Sequence, residues 1–236
     1  MKILVHKDKK FLWKSGDLHT NFGLIKEKEI VKAKNGSKIK SNTKLEFIVL
    51  EPLLDDLIKR IKRGPQIMIT KDIGYILTNT GITKNSIVLE AGSGSGYLTT
   101  FLSAFCKKVI SYERNKDFFK LVNENIKFLN LDNVVIKNKD VYININEKDL
   151  DLIVLDLPEP WKAINNIFKS LKIGHFLVCY LPTINQVIEL LEKANKFSHV
   201  KTVEIIEREW QVDRGKVRPV SSIISHTGFL VFLRKY

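Results

Sequence analysis

The sequence is poor in the residues that build disulfide, metal or membrane folds. Its 236 residues include only two cysteines, Cys106 and Cys179, each inside an apolar stretch. Two thiols so placed exclude a disulfide scaffold and suit a reducing, cytoplasmic compartment. The five histidines are scattered and no Cys/His cluster has zinc spacing, so no metal is expected. Twelve glycines and six prolines are too few for a low-complexity chain. No apolar run approaches the roughly 20 residues that cross a bilayer. The first residues, MKILVHKDKKFLWK, mix charges with short apolar runs and lack the apolar block of a secretory signal. A membrane partner is therefore not expected.

What is present is a core-forming composition, 44% hydrophobic, with a strong excess of positive charge, 39 Lys and Arg against 26 Asp and Glu. The excess is uneven. Residues 1–64 hold 16 basic and 8 acidic residues; the remaining three quarters of the chain hold 23 and 18. A folded protein this basic attracts polyanions, of which nucleic acid is the commonest, although a solvated lysine-rich surface has the same composition.

The pattern of apolar residues changes near residue 64. Before it, Ile3–Val5 and Phe11–Trp13 read as short strands joined by a turn at Asp8-Lys9, and Asn35-Gly36 is a hairpin signal. Leu24–Ala33 fits a helix or a strand. Leu45–Leu50 is a compact apolar run, and Leu53, Leu54, Leu57, Ile58 and Ile61 recur at helical spacing. Residues 1–63 are expected to form a small basic β domain ending in a linker helix. From 64 to 236, strand-like runs (Ser86–Glu90, Val109–Glu113, Val134–Lys137, Leu152–Asp156, Phe176–Leu181, Val200–Glu209, Gly228–Arg234) alternate with helical stretches (Tyr97–Cys106, Asp117–Leu129, Lys162–Leu171, Ile184–Asn195). That alternation predicts an α/β domain, a Rossmann-like parallel sheet covered on both faces with an antiparallel last strand.

The most informative segment is Ser86-Ile-Val-Leu-Glu90-Ala-Gly92-Ser-Gly94-Ser-Gly96-Tyr97. A strand runs into three glycines at alternate positions and then a helix. The dinucleotide fingerprint is G-x-G-x-x-G; here the third glycine comes one residue early and Glu90 closes the strand. The tighter loop resembles motif I of Rossmann-like S-adenosylmethionine methyltransferases. Their cofactor carries a sulfonium and an amino group and no phosphate, so carboxylates nearby are welcome. Glu113, 19 residues after Gly94, ends the second strand, where an acid can accept from both ribose hydroxyls. Asp140 follows the third strand and Asp156 ends the fourth. Each acid alone could be a helix cap or a solvated turn residue. All four, however, fall at the carboxyl ends of strands, where open α/β sheets bind ligands.

After the fourth strand comes Asp156-Leu-Pro-Glu-Pro-Trp161. Two prolines stiffen the backbone, and Trp161 offers a flat surface that could stack on a base or merely cap the core. A fixed carboxylate at Asp156 would stabilise a purine that becomes cationic when a ring nitrogen is methylated.

Taken together these segments resemble the tRNA (adenine-N1)-methyltransferases that modify the T loop, in their bacterial and archaeal homotetrameric form. The resemblance is carried by Asp17-Leu-His-Thr20-x-x-Gly23, Gly64-Pro-Gln-Ile-Met-Ile-Thr-Lys-Asp72, Glu90–Gly96, Asp156–Trp161, Val178-Cys-Tyr180-Leu-Pro182 and Ser225-His-Thr-Gly-Phe-Leu230. It implies methyl transfer from S-adenosylmethionine to adenine N1 at tRNA position 58, and leaves open whether position 57 is methylated too. It also implies that Ser93, Gly94, Ser95, Gly96, Tyr97, Leu98, Glu113, Asp140 and Asp156 line the cofactor pocket. It further implies that Asp156 faces the target adenine and that Tyr180 and His226 hold the base or nearby RNA, with Trp161 expected at the base as the flat surface read above. Ile69 stands where many members have tyrosine, so its expected cofactor contact lacks the family's aromatic ring. Arg214, Lys216 and Arg218 form a second basic cluster that could meet phosphate or simply be a solvated loop.

Three other readings compete. Motif I also resembles that of protein isoaspartate methyltransferases, which lack the basic β domain. Some paralogues of the resembled family are tRNA-binding subunits without a cofactor loop, whereas the loop is intact here. A nicotinamide dehydrogenase fits the glycine spacing poorly.

Overall fold

The computed structural model describes residues 1–64, 67–213, 215–222 and 224–236. Pro65, Gln66 and Arg214, which belong to segments singled out above, lie outside the described residues. Two compact units are present, Met1–Arg60 and Ile61–Tyr236. The first residues of the second unit are held by it: Ile61 is buried, and Asn125 bonds both backbone groups of Lys62, at 2.9 and 2.8 Å.

The first unit is mostly strand: β1 (Lys2–His6), β2 (Lys9–Trp13), β3 (Leu18–Thr20), β4 (Gly23–Ile25), α1 (Glu27–Lys32), β5 (Lys38–Lys40), β6 (Glu46–Leu50) and the short α2 (Leu54–Ile58). Four strands form an antiparallel sheet in the order β2-β1-β6-β5, and β3 and β4 form a separate hairpin. Alternation along the strands sends Leu4, Phe47 and Val49 into a core completed by Trp13, Ile25 and Ile30. Three local expectations are corrected. The β1–β2 turn is Lys7-Asp8, with Lys7 at φ +52° and Lys9 already paired in β2. The Asn35-Gly36 turn leads from α1 into β5 and not between two strands. The stretch Leu24–Ala33 is both strand and helix, divided at Lys26.

The second unit begins with α3 (Thr70–Asn79) and continues through β7 (Ile87–Ala91), α4 (Tyr97–Phe105), β8 (Lys108–Tyr112), α5 (Lys116–Leu129), β9 (Val134–Lys137) and β10 (Leu150–Asp156). A 3₁₀ turn (Pro160–Ala163) leads into α6 (Ile164–Ser170), followed by β11 (Leu171–Leu181), α7 (Ile184–Lys193), β12 (Ser198–Glu204), the hairpin β13 (Trp210–Asp213) and β14 (Lys216–Pro219), and β15 (Phe229–Arg234). The sheet order is β12-β15-β11-β10-β7-β8-β9. The β7–β8, β8–β9, β7–β10 and β10–β11 pairs are parallel, and β15 is antiparallel to both its neighbours. This is the expected fold class.

Continuous apolar strands bury both sheet faces. Leu152 and Val154 point into a core shared with Ile73 and Ile76 of α3 and Leu98 and Leu102 of α4. Ile153 and Leu155 point the other way, toward Ile164 and Ile167 of α6 and Val187 and Leu190 of α7. Helix ends are set by polar residues. Asn115 accepts from the backbone of Asp117 and Phe118 at the start of α5, and Asn130, at φ +56°, ends it in the left-handed region. One further expectation is revised. The strand expected over Val200–Glu209 ends at Glu204, and the residues that follow lead into the β13–β14 hairpin. Helix α3 was not foreseen.

Candidate active site

The strand order reverses between β7 and β10. From β7 the chain steps outward to β8 and β9, then returns to β10 on the other side. At such a switch point the connecting loops diverge and leave a crevice beyond the strand ends. A cavity of about 270 Å³ opens there. It is lined by Ala91, Gly92 and Gly94 from the glycine loop, by Tyr112, Glu113 and Arg114 after β8, by Lys139–Tyr142 after β9, and by Asp156–Pro158 after β10.

The loop can take its path only because Gly92 and Gly96 lack side chains. Gly92 has φ +95°, and a Cβ built on it would stand 2.2 Å from the carbonyl oxygen of Asp156. Gly96 has φ +83° as the residue before α4, and a Cβ there would stand 2.8 Å from Val122 of α5. The glycines thus let the backbone lie against β10 on one side and α5 on the other. Asn125 extends this bracing, since the same amide that holds Lys62 donates to the Ser95 carbonyl at 2.8 Å.

The acids differ in what already occupies them. Glu113, 7% exposed, accepts from Gly94 N at 3.1 Å and Asn115 N at 2.9 Å. Asp140 accepts from Tyr142 N at 2.9 Å, and Arg114 lies 3.7 Å from its other oxygen. These bonds leave further acceptor capacity on both carboxylates. For Asp156 burial is the sole cause of a pKa raised to about 6, and no hydrogen bond from a described residue offsets it. Glu90 falls near the carboxyl end of its strand, as expected, but does not line the cavity. It is 1% exposed beneath the loop, where Thr99 and Ser111 donate to the same carboxylate oxygen. Burial pushes its pKa to about 8, against the smaller lowering from those two hydroxyls.

Of the residues expected at the cofactor, the structure places Gly94, Glu113, Asp140 and Asp156 on the cavity wall. Ser93 and Ser95 are buried under it: the Ser93 hydroxyl meets that of Ser111 at 2.5 Å, and the Ser95 hydroxyl has no hydrogen-bond partner among the described residues. Leu98 belongs to the sheet core and Tyr97 packs beside Phe101, because both face inward from α4. Gly96 braces α5 and does not line the cavity. Ile69 lines a different cavity of about 190 Å³, with Lys71, Glu207, Glu209, Ser222 and Ile224.

The three residues expected at the base also lie off this cavity. Trp161 packs against the core under Lys193, whose ammonium sits 5.2 Å from the ring centre. Tyr180 is buried, and its hydroxyl donates to the Thr227 carbonyl at 2.5 Å. His226 has both ring nitrogens engaged, Nδ1 with Glu204 and Nε2 with the Pro182 carbonyl at 2.8 Å. The bond to the Glu204 carboxylate raises its pKa, with a smaller contribution from the Pro182 carbonyl. Sequence reasoning did not single out Arg114 or Tyr142. The one available signal was position, since every residue just past a parallel strand's carboxyl end is a candidate.

Chemically, the cavity offers acceptor-only carboxylates, bare loop backbone, a flat wall at Tyr142 and few cations, Arg114 and Lys139. This donor set fits a ligand with hydroxyls, an amine and a positive centre, and it repels a pyrophosphate. S-adenosylmethionine meets those requirements. No group of three or more His, Cys, Asp or Glu among the described residues could hold a metal. Among the same residues, no helix is long and apolar enough to cross a membrane.

Sheet order, glycine loop and acidic crevice together define a Rossmann-like S-adenosylmethionine-dependent methyltransferase fold. Within that class the chain belongs to the family described as the tRNA methyltransferase complex GCD14 subunit, which matches residues 57–218. It is 37% identical to the tRNA (adenine(57)-N(1)/adenine(58)-N(1))-methyltransferase TrmI of Methanocaldococcus jannaschii, over 99% of this chain and 94% of that protein. It is 32% identical to the tRNA (adenine(58)-N(1))-methyltransferase TrmI of Thermus thermophilus, over 99% and 96%. Among solved structures, tRNA (m1A58) methyltransferase TrmI from Aquifex aeolicus is 32% identical with a TM-score of 0.81, covering 100% of this chain and 96% of that one. A Thermotoga maritima protein described as a SAM-dependent O-methyltransferase is 30% identical with a TM-score of 0.86, covering 99% and 92%.

Proposed function

We propose that this chain transfers the methyl group of S-adenosylmethionine to N1 of an adenine in the tRNA T loop, at position 58, with the adjacent position 57 left open as a further target. The observation that carries the reading is the placement of Asp156. It ends β10 with its backbone against the glycine loop, and its half-buried carboxylate, unneutralised by any hydrogen bond from a described residue, belongs to a residue lining the crevice.

When bound, S-adenosylmethionine supplies an electrophilic methyl on a cationic sulfur. Glu113 would accept from the ribose hydroxyls, and Asp140 from the adenine amine of the cofactor, with Tyr142 as its flat neighbour. Adenine N1 has a free lone pair, so its methylation needs no proton removed; the target purine instead gains positive charge. An anion nearby favours that charge, and Asp156 would be that anion, accepting from the target's exocyclic amine and stabilising charge as it develops. A hydroxyl acceptor, as the Thermotoga name would imply, requires a base to take a proton. His226 cannot serve as that base while both its nitrogens are engaged.

A T-loop adenine is folded into the tRNA and must be extruded to reach the crevice. Backbone contacts would offset that cost, and the Lys-rich first unit supplies positive charge for them. A cytoplasmic homotetramer is the proposed working form. Exposed Trp210, Val212 and Val217 on the β13–β14 hairpin are the apolar surface that a second copy would cover. Incubation with labelled S-adenosylmethionine and unmodified tRNA tests the activity: label in 1-methyladenosine of the T loop supports it, and no transfer to tRNA overturns it.

A further inference from the structure

We propose that Lys71 and Asp72 are positioning residues for this reaction: a buried ion pair that grips Thr227, and through it the turn against which Tyr180 is held beside Asp156. The inference rests on the activity proposed above and assigns a role to groups outside the cofactor crevice.

The pair is built at a cost. Asp72 is fully buried on the first turn of α3, and the Lys71 side chain is 5% exposed. Two charges taken out of water regain in mutual attraction little more than their desolvation costs, and an apolar pair of similar volume would serve the core as well. What an apolar pair cannot do is direct a hydroxyl. Lys71 Nζ donates to Asp72 Oδ1 at 2.9 Å and to Thr227 Oγ1 at 2.6 Å, and Thr227 Oγ1 donates to Asp72 Oδ2 at 2.8 Å. The three side chains close a ring in which the threonine hydroxyl both accepts and donates, so its orientation is fixed.

The fixed residue carries the next contact. The Thr227 carbonyl accepts from the Tyr180 hydroxyl at 2.5 Å, and the tyrosine ring packs under Gly228, where a Cβ would meet it at 2.7 Å. On the other side His226 ties the same turn to Glu204 and to the Pro182 carbonyl. Tyr180 is the register partner of Asp156 across the parallel β10–β11 pair. A shift of the Thr227 turn therefore moves the phenol that neighbours Asp156 in the sheet register. Displacements of about 1 Å beside a reacting group can cost up to a hundredfold in rate.

The ring can be opened without removing a charge. Thr227→Val keeps the shape and the ion pair but deletes the hydroxyl, whereas Thr227→Ser keeps the hydroxyl. With wild type as the control, we expect Thr227→Val to lower kcat for tRNA methylation roughly ten- to hundredfold. S-adenosylmethionine affinity measured by calorimetry should stay unchanged, and Thr227→Ser should restore kcat. Lys71→Met should show the same kcat loss, provided that it folds; Thr227→Val decides the matter if it does not. Wild-type kcat in Thr227→Val, equal losses in the valine and serine variants, or a loss that follows weakened cofactor binding would each overturn the positioning role. Absence of tRNA methylation by the wild-type protein would instead overturn the activity, and the positioning role with it.

Discussion

Gly92 lies directly on the backbone of Asp156: a single added methyl group would come within 2.2 Å of the aspartate's carbonyl oxygen. The first glycine of the loop and the carboxylate at the end of β10 are thus one mechanical unit. Gly92→Ala must push the loop or the end of β10 aside, at a φ of +95° that alanine disfavours. We predict a destabilisation of about 2 kcal/mol or more by denaturant titration. Cofactor affinity and kcat should fall together. Loss of stability with both functions intact would separate the two residues.

The pH dependence follows from burial of Asp156. With its pKa near 6, the carboxyl is neutral below that value and anionic above it. Activity should therefore rise with pH through about 6 and level off, because only the anion stabilises a cationic purine. Asp156→Asn should abolish the rise along with most of the activity. A wild-type profile that is flat from pH 5 to 8 would contradict this assignment.

Glu90 makes an opposite prediction about stability. Its folded pKa, about 8, lies above the model-compound value of 4.5. The folded state then holds a proton that the unfolded state releases between those values. The stability contribution is complete below pH 4.5 and is lost as pH rises toward 8. Glu90→Gln removes that loss, so its Tm should gain on wild type between pH 5 and 9. A change of about 1 kcal/mol shifts Tm by roughly 2–4 °C in a chain of this size. Parallel Tm curves for the two proteins would show that Glu90 is ionised in the fold.

Much of this arrangement was legible in the residues themselves. Three glycines after an apolar strand, and acids at the following strand ends, carry their meaning locally, because loop curvature and strand direction decide where they sit. Helix α3 was hidden by Gly74 and by β-branched Ile73 and Ile76, which weaken the helical signal although Ile73 and Ile76 are buried in the core. The burial of Glu90 is not readable from its place at a strand end. Only the hydroxyls of Thr99 and Ser111, 9 and 21 residues away, turn it into an interior group. Likewise nothing near Thr227 in the chain announces its bond to Lys71, 156 residues earlier.

If tRNA is the partner, its phosphates set a salt dependence that a peptide substrate would lack. With about six phosphates neutralised, affinity should drop on the order of a thousandfold between 50 and 200 mM salt. Charge-neutralising substitutions at exposed lysines of the first unit, such as Lys28, Lys34 and Lys44, should reduce that slope, as measured by filter binding. A tRNA affinity insensitive to salt would remove the basic unit from the account.

The most direct measurement is the turnover of Asp156→Ala on unmodified tRNA, with the methylated nucleoside identified by mass spectrometry. The account predicts 1-methyladenosine in the T loop for wild type and a loss of roughly 10²–10³ in kcat for the variant. Wild-type turnover in Asp156→Ala, or methylation at another nucleoside, would contradict it.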